Sequence, residues 1–223
     1  MKRTLPGVFT AICVIVVAMS FAPPAKADVI VYSNIDSSTV FPLGFGIGNT
    51  NPSDQALATP FVSSGDFLFT GVRIPLGLNR GTPAADVYLM SDAGGKPGAV
   101  LEELTAIGLL PLPGSLFTLT SSLQLELQAG VTYWLAVTPV DANSDVSWRR
   151  NTIGEAISAS NVAITTSLDL TGSWSFVPAN SALLRPGFEV DGMPVPEPGT
   201  LPLLLLGLLA VTFVTHGTRR FLA

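Results

Sequence analysis

Cysteine and histidine are almost absent from this sequence. Its 223 residues include one cysteine, Cys13, and one histidine, His216, and each lies close to an end of the chain. Residues 28–193 therefore contain no thiol, disulfide or imidazole. This excludes Ser-His-Asp and Cys-His catalysis, thiolate metal sites and histidine-bound zinc from that region. Carboxylate chemistry is the catalytic option that the composition leaves open.

Basic residues are also scarce. Residues 28–194 carry 15 acidic and 6 basic side chains, which gives a net charge of minus nine. A protein that binds nucleic acid displaces phosphate counterions with a basic face, whereas an acidic segment repels phosphates. The acidity suits solubility outside the cell and leaves divalent cations as candidate ligands. We therefore expect no nucleic-acid partner.

The first residues have the pattern of a secretory signal peptide. A basic start is followed by an apolar stretch over residues 5–22 and by an Ala-x-Ala site made of Ala25 and Ala27. This order is typical of a leader that the export machinery inserts and signal peptidase removes. We predict a signal peptide over residues 1–27 with cleavage before Asp28, and the alternative is a leader retained as a membrane anchor.

Short runs rich in β-branched and aromatic residues recur between Gly, Pro, Asn and Ser clusters, and few stretches show helical periodicity. The predicted strands are residues 29–33, 59–63, 67–74, 86–91, 100–105, 115–120, 123–127, 131–138, 162–166, 173–177 and 183–190. One short helical turn is expected over residues 52–58. Many short strands with frequent turns predict a single all-β domain over residues 28–193, an antiparallel β-sandwich of jelly-roll type.

Three stretches predict how strands connect. Leucine at every second position of residues 123–127, a turn at residues 129–130 and renewed alternation over residues 131–138 predict a hairpin. Glycines and a proline within residues 92–98 predict a tight loop between two further strands. The stretch GFGIGN, residues 44–49, has the glycines of a nucleotide loop, but no helix follows it, so we expect a flexible loop.

The chain ends in a hydrophobic run. Residues 201–218 follow a proline-rich hinge over residues 194–200, and seven leucines lie in the first nine residues of the run. Counted from Gly199 the run has 20 residues, and at about 1.5 Å per residue a helix of that length spans a hydrocarbon layer of roughly 30 Å. We predict a transmembrane helix over residues 201–218 with a basic cytoplasmic tail, residues 219–223. The alternative is a buried C-terminal helix of the soluble domain.

The tripeptide Pro196-Glu197-Pro198, followed by this apolar run and by Arg219 and Arg220, resembles the PEP-CTERM sorting signal of certain bacteria. The resemblance implies recognition and processing by an exosortase, a membrane-embedded cysteine protease. It also implies an association with extracellular polysaccharide or biofilm. Prolines at the junction prevent helix and strand, so an extended segment is presented to the protease.

A second resemblance concerns the domain itself. The stretches VYLMSDAGGKPGAVLEEL, LQAGVTYWLAVTP and ALLRPGFEVDG resemble the extracellular choice-of-anchor module of type R, which stands in front of such sorting tails. The Asp-Gly-Gly-x-Pro-Gly loop of that module has an extra residue here, because Ala93 stands between Asp92 and Gly94. The resemblance implies a place at the cell surface and no established activity.

Two sets of acidic residues are candidate sites. Asp141, Asn143 and Asp145 alternate oxygen-bearing side chains as at the start of a calcium loop, but the glycine and the distal glutamate of an EF-hand are missing. A turn with Asx hydrogen bonds explains the same pattern equally well. Glu102 and Glu103 are neighbours that would point to opposite faces of a strand, and we expect both to be solvated rather than catalytic.

Aromatic side chains are the candidate glycan contacts. Tyr133, Trp134, Trp148 and Trp174 could stack on sugar rings, or they could supply the large buried area that holds two sheets together. On one strand Tyr133 and Trp134 must point to opposite faces. Core packing is the preferred interpretation.

Two functional hypotheses follow. The first is a non-catalytic exported protein that is anchored in the inner membrane with its domain outside the cytoplasm, processed by an exosortase, and then held at the cell surface or in the extracellular matrix. The second is a module that binds polysaccharide or acts on it with carboxylates. We expect no cofactor, apart from the calcium alternative.

Overall fold

The computed structural model describes residues 27–37, 40, 41, 43–48 and 55–195. The strands in these ranges are β1 (Val29–Ser33), β2 (Phe45–Gly48), β3 (Ala56–Val62), β4 (Phe67–Arg80), β5 (Ala84–Asp92), β6 (Pro97–Ile107), β7 (Ser115–Thr120), β8 (Glu126–Leu127), β9 (Thr132–Pro139), β10 (Asp145–Trp148), β11 (Ala156–Ile157), β12 (Ala163–Thr165), β13 (Ser175–Phe176), β14 (Asn180–Leu184) and β15 (Glu189–Pro194). No helix occurs in them, so none there could cross a membrane. The predicted transmembrane helix, and the signal peptide up to residue 26, lie outside these ranges.

The strands form two large antiparallel sheets. The seven-stranded sheet has the order β1-β15-β4-β10-β2, with β7 and β8 paired along the other edge of β4. The six-stranded sheet has the order β13-β12-β3-β9-β5-β6, and β11 and β14 form a small third sheet. The predicted all-β antiparallel architecture is therefore confirmed in the described part of the chain.

One hydrophobic core is shared by both large sheets. Phe69 and Ile74 of the seven-stranded sheet lie in the same cluster as Leu57 and Leu89 of the six-stranded sheet, and all four are at most 1% exposed. Two sheets that bury their inner faces together are arranged as in a β-sandwich. The core also contains Trp148, one of the two largest fully buried side chains.

Strand β9 is buried on both faces. Its inward residues Leu135 and Val137 join the shared core, while Trp134 and Ala136 pack outward against a second cluster that includes Trp174. The outer face of β9 is covered because the chain around β12 and β13 folds over it. All the residues from Tyr133 to Pro139 are therefore buried, including those that point away from the core shared by the two large sheets.

The predicted hairpin at residues 123–138 is wrong. Strand β8 pairs with β4 in the seven-stranded sheet, whereas β9 pairs with β3 and β5 in the six-stranded sheet. The chain therefore crosses from one sheet to the other at residues 128–131. Of the three alternating leucines only Leu127 is fully buried, while Leu125 is half-buried and Leu123 is 58% exposed, and the alternation does not say which strand is the partner. Gln124 has a φ of 49°, so the strand begins only at Glu126.

Three strands, β2, β10 and β11, were not predicted from the sequence. Residues 45–48, expected to be a flexible loop, form β2 and pair with β10. A Cβ added at Gly44 would lie 2.2 Å from the carbonyl oxygen of Trp148, so the glycine permits a close approach of the two chains. The four residues of β10, DVSW, do alternate between polar and apolar, but all four are buried and the stretch is very short for a prediction.

Further predictions concern one helical turn, three strands and one loop. The helical turn expected over residues 52–58 is wrong for Ala56–Ala58, which begin β3. The single strand expected over residues 183–190 is interrupted between β14 and β15. Strands β1 and β7 have the predicted bounds, and the loop after β5 is confirmed, with positive φ at Gly94 and Gly95.

Candidate functional site

The two ends of the described domain lie side by side. Strand β1 pairs with β15 in antiparallel fashion, with Val29 opposite Gly192. Asp28, the first residue after the predicted signal cleavage, therefore lies beside the end of β15, from which the chain continues into the predicted sorting motif. Because β15 also pairs with β4, the last strand is an internal strand of its sheet.

The fold extends to the last residue before the predicted motif. The amide of Val195 donates a hydrogen bond to the carbonyl oxygen of Asp66, at 3.1 Å. The carboxylate of Asp66 in turn accepts the amide of Ala129, at 2.7 Å. Asp66 thus joins three segments at this end of the domain, and Pro196 follows directly.

We call this end the terminal pole; it comprises residues 28–30, 62–66, 92–97, 128–131 and 195. Its two inter-sheet turns are bonded to each other, since the amide of Ser63 donates to Val131 and the amide of Gly130 donates to Ser63. The opposite end, which we call the distal pole, comprises residues 81–83, 107–110 and 140–144.

A small acidic cleft of about 230 Å³ lies against the end of β15, and its lining includes Asp28, Thr70 and Asp191. Burial raises the pKa of Asp191, and the negative charge of Glu189 adds to the effect, while Arg73 opposes it. Arg73 is held by Glu189, 2.6 Å away. The hydroxyl of Thr70 is buried without a hydrogen-bond partner.

A larger cleft of about 420 Å³ is lined by residues from both large sheets and from the segment before β15, and its lining includes Tyr32, Phe61, Asp92, Trp134 and Arg185. The indole nitrogen of Trp134 donates to Asp92, at 2.8 Å, while Phe61 reaches into the shared core. We call this the aromatic cleft. It offers ring edges and one buried cation, and its walls belong to β1, β3, β5 and β9.

Arg185 is the buried cation beside this cleft. Its guanidinium donates to Glu155 at 2.7 Å, to the hydroxyl of Thr59 at 2.6 Å and to the carbonyl oxygen of Pro60. It also lies 5.7 Å from the ring of Tyr32. Since its charge is satisfied by these partners, Arg185 holds the two sheets together rather than offering a free anion site.

Tyr32 donates its hydroxyl to Glu155, at 3.2 Å. Burial raises the pKa of Tyr32 to about 12, with Glu155 adding to the rise and Arg185 opposing it. The phenol is therefore a neutral hydrogen-bond donor at physiological pH and not a general base.

The predicted glycan-contact residues are buried. Trp148 is fully buried, its indole nitrogen donates to Gly187 at 2.8 Å, and it has no exposed ring face. Tyr133 is 7% exposed and accepts the amide of Gln128, at 3.0 Å. Trp134 and Trp174 pack in the second cluster, and Trp134 alone borders the aromatic cleft. Glycan contact by the remaining accessible edges stays a prediction.

The carboxylates of the predicted calcium residues Asp141 and Asp145 accept hydrogen bonds from different groups of the protein. Asp141 accepts the amide of Asn143 and the hydroxyl of Ser144, both at 2.9 Å, in the Asx turn that the alternative interpretation expects. Hydrogen bonds from Thr82 and Ser144 lower the pKa of Asp141. Asp145 is buried at the start of β10 and accepts Asn79, at 3.1 Å. Among the described residues no three His, Cys, Asp or Glu side chains are grouped closely enough to hold a metal.

The expectation that Glu102 is solvated is wrong. Its side chain is 4% exposed and accepts the hydroxyl of Ser121 at 2.7 Å and the amide of Ser122 at 2.8 Å. Glu103, the next residue of β6, is exposed on the opposite face. The two side chains point to opposite faces of β6, as predicted, but that of Glu102 is buried and bonded to the segment that follows β7 of the seven-stranded sheet.

Sequence reasoning missed Asp66, Glu155 and Arg185. Arg185 is one of only six basic residues in the acidic segment, and it stands between two leucines and a phenylalanine. A charged residue inside an apolar stretch is a sign of a buried, paired group, and this was the available signal. Asp66 and Glu155 lie in polar loops, where an acidic residue is unremarkable before the fold is known.

Comparison with known proteins concerns the tail. A family described as the PEP-CTERM protein-sorting motif matches residues 194–220. Sorting signals of this kind are recognised by exosortase, a membrane protease, and imply export with membrane anchoring at the C-terminus before processing. The residues of the predicted motif, Pro196, Glu197, Pro198, Arg219 and Arg220, fall within the match but outside the described residues.

No curated protein matches the chain. Its resemblance to the choice-of-anchor module of type R stays a prediction. The predicted cleavage site is described only in part, since Ala25 lies outside the described residues while Ala27 and Asp28 are exposed just before β1.

Proposed function

We propose that this protein is a non-catalytic cell-surface protein whose β domain is exported, anchored by its C-terminal tail and then released from that anchor by an exosortase-like protease. In this proposal the signal peptide ends at Ala27, the tail helix spans residues 201–218, and the domain is a β-sandwich of the choice-of-anchor kind. Extracellular polysaccharide or biofilm is the setting that the tail resemblance suggests.

One observation carries the proposal. The sorting motif matches residues 194–220, and its first residue is the last residue of β15. The signal is therefore attached directly to an internal strand of a folded domain. A protease acting on the segment after Val195 would separate the tail without removing any described strand.

The proposal is tested by changing the tail in two ways. Pro196, Glu197 and Pro198 are replaced together by alanine in one variant, and residues 201–223 are deleted in another. We expect the triple-alanine protein to remain membrane-bound and unprocessed, and the deleted protein to appear in the medium. Fractionation and immunoblotting measure both outcomes, and processing of the triple-alanine protein at the normal rate would contradict the proposal.

A polysaccharide-binding role is the second candidate, and the aromatic cleft is the observation that favours it. Tyr32 is only partly buried there, and Asp92 and Trp134 also line the cleft. Aromatic edges beside a carboxylate are groups that bind sugars. On a glycan array this role requires saturable binding that Tyr32→Ala abolishes, and binding that is unchanged by Tyr32→Ala would exclude the cleft.

A further inference from the structure

We propose that the terminal pole is the surface with which the anchored domain rests on the lipid head groups of the membrane. This rests on the proposed function, because it requires the tail to be inserted in a bilayer. The occupant of the surface is the lipid head-group layer itself, before the tail is removed.

A short tether joins the folded domain to the C-terminal apolar run. Val195 is bonded to Asp66, so only residues 196–200 separate the folded domain from the apolar run that begins at Leu201. Five extended residues span at most about 18 Å. A domain of this length has a radius of gyration of about 15 Å, so such a tether keeps its attached end close to the membrane.

The N-terminal tether leaves the domain from the same end as the C-terminal one. Before signal cleavage, only residues 23–27 separate the apolar stretch that ends at Ala22 from Asp28. Asp28 precedes Val29, which is paired with Gly192 of β15. The two segments expected to enter the membrane are therefore attached side by side.

The domain is long in the direction of its strands. Strand β4 runs from Phe67 at the terminal pole to Arg80 at the distal pole, and its 14 residues span about 45 Å. The distal pole therefore lies well beyond the reach of either tether when the domain stands on its terminal pole.

The surface of the terminal pole suits contact with head groups. Val29, Ile30, Val62 and Val131 are 38%, 59%, 50% and 37% exposed there. Such side chains gain by entering the interfacial layer. At the distal pole Ile107 and Leu110 are still more exposed, at 77% and 56%, so apolar exposure does not distinguish the poles and the tethers determine which one faces the lipid.

The charge of the terminal pole does not oppose this contact strongly. The carboxylate of Asp66 accepts the amide of Ala129, and that of Asp92 accepts Trp134 and the amide of Gly95. Asp28 is the other acidic residue of the pole as defined above, and Lys96 is its basic residue. These neutral donors leave the carboxylate charges in place, so the pole has a net charge of minus two, and we expect contact with zwitterionic rather than anionic head groups.

The absence of cysteine from residues 28–193 makes a direct test simple. In full-length protein carrying Cys13→Ser, a fluorophore is attached at Ser64→Cys on the terminal pole or at Ala142→Cys on the distal pole, both exposed positions. The protein is reconstituted into phosphatidylcholine vesicles that contain lipid with a nitroxide on its head group. We expect roughly threefold or stronger quenching at position 64 than at position 142, given distances of up to about 18 Å and about 45 Å. Equal quenching, or stronger quenching at position 142, would overturn the proposal.

Flotation of the same vesicles separates the two proposals. Protein that does not float with the vesicles means that the tail does not anchor the chain, and then the proposed function fails. Protein that floats but shows equal quenching at both positions keeps the anchor and overturns only the orientation. Since these vesicles contain no protease, quenching at position 64 is due to lipid.

A matched pair of variants tests the contribution of the apolar side chains. Ile30→Asp with Val62→Asp is compared with Ile107→Asp and Leu110→Asp at the distal pole, all at exposed positions. We expect the first pair to reduce quenching at position 64 about twofold while flotation is retained, and the distal pair to leave it unchanged. Equal effects of the two pairs would contradict the role of these side chains, and a thermal melt of each variant checks that it is folded.

Discussion

At the scale of single residues, Glu102 links the edges of the two large sheets. It stands on β6, an edge strand of the six-stranded sheet, and accepts hydrogen bonds from Ser121, Ser122 and Leu123 of the seven-stranded sheet's edge. A buried carboxylate is stable only when such donors replace its water. The link therefore joins two sheets that no backbone ladder connects at that edge.

Replacing Glu102 should destabilise the domain. Glu102→Ala leaves four donor groups of Ser121, Ser122 and Leu123 without their acceptor and should lower the free energy of unfolding by roughly 3 kcal/mol. The matched control is Glu103→Ala on the exposed face, expected to change it by at most about 0.5 kcal/mol. Urea denaturation measures both, and similar values for the two variants would contradict the inter-sheet role.

Asp191 gives the domain a pH dependence of known sign. Burial and the charge of Glu189 raise its pKa above the usual 3.8, so the folded state favours the protonated form. Its ionisation therefore opposes folding, and this penalty is absent below the usual pKa and complete above the raised one. Asp191→Asn should raise the melting temperature at pH 7 and leave it almost unchanged near pH 3. A variant that is less stable at pH 7 would show that the carboxylate is favourable where it lies.

Single residues also show what the sequence could and could not predict. Acidity, the missing thiols and the motif at Pro196–Pro198 are properties of composition and order, so they can be read without a fold. The burial of Glu102 and the inward turn of Arg185 depend on partners more than 15 residues away. Local patterns carry no information on such partners.

At the scale of strands, the crossing at residues 128–131 determines how the domain is assembled. It carries the chain from β8 in one sheet to β9 in the other. The turn residues Ala129 and Gly130 suit a hairpin equally well, and the leucine alternation over residues 123–127 would be the same in either arrangement. Only Glu126–Leu127 of the predicted strand is formed, and its partner is determined by the core that both sheets share.

Engineered disulfides distinguish the two arrangements. In the fold Leu68 and Glu126 are paired across β4 and β8, so Leu68→Cys with Glu126→Cys should form a disulfide on oxidation. Glu126→Cys with Tyr133→Cys is the control, because those residues would be cross-strand partners in a hairpin with its turn at residues 129–130 but here belong to separate sheets about 10 Å apart. Electrophoresis without reductant measures the cross-link. A disulfide that forms only in the second pair would show that β8 forms a hairpin with β9 and does not pair with β4.

At the scale of the whole molecule, the last strand is internal to its sheet and the sorting segment begins just beyond it. Strand β15 lies between β1 and β4, and Val195 is still bonded to Asp66. A chain ending at Val195 should therefore unfold cooperatively with the stability of the longer protein. A chain ending at Phe188 lacks β15 and should not fold, because β1 loses its partner and β4 loses one of its pairings. Circular dichroism during thermal unfolding measures both, and a folded shorter chain would contradict the topology.

The central claim is that the chain is exported, anchored by its tail and then cut. The most direct test is the intact mass of the protein recovered from cells that make the full-length precursor together with its own exosortase. The account predicts a polypeptide that begins at Asp28 and lacks residues 201–223. A recovered mass that includes those C-terminal residues in cells with active exosortase would contradict it.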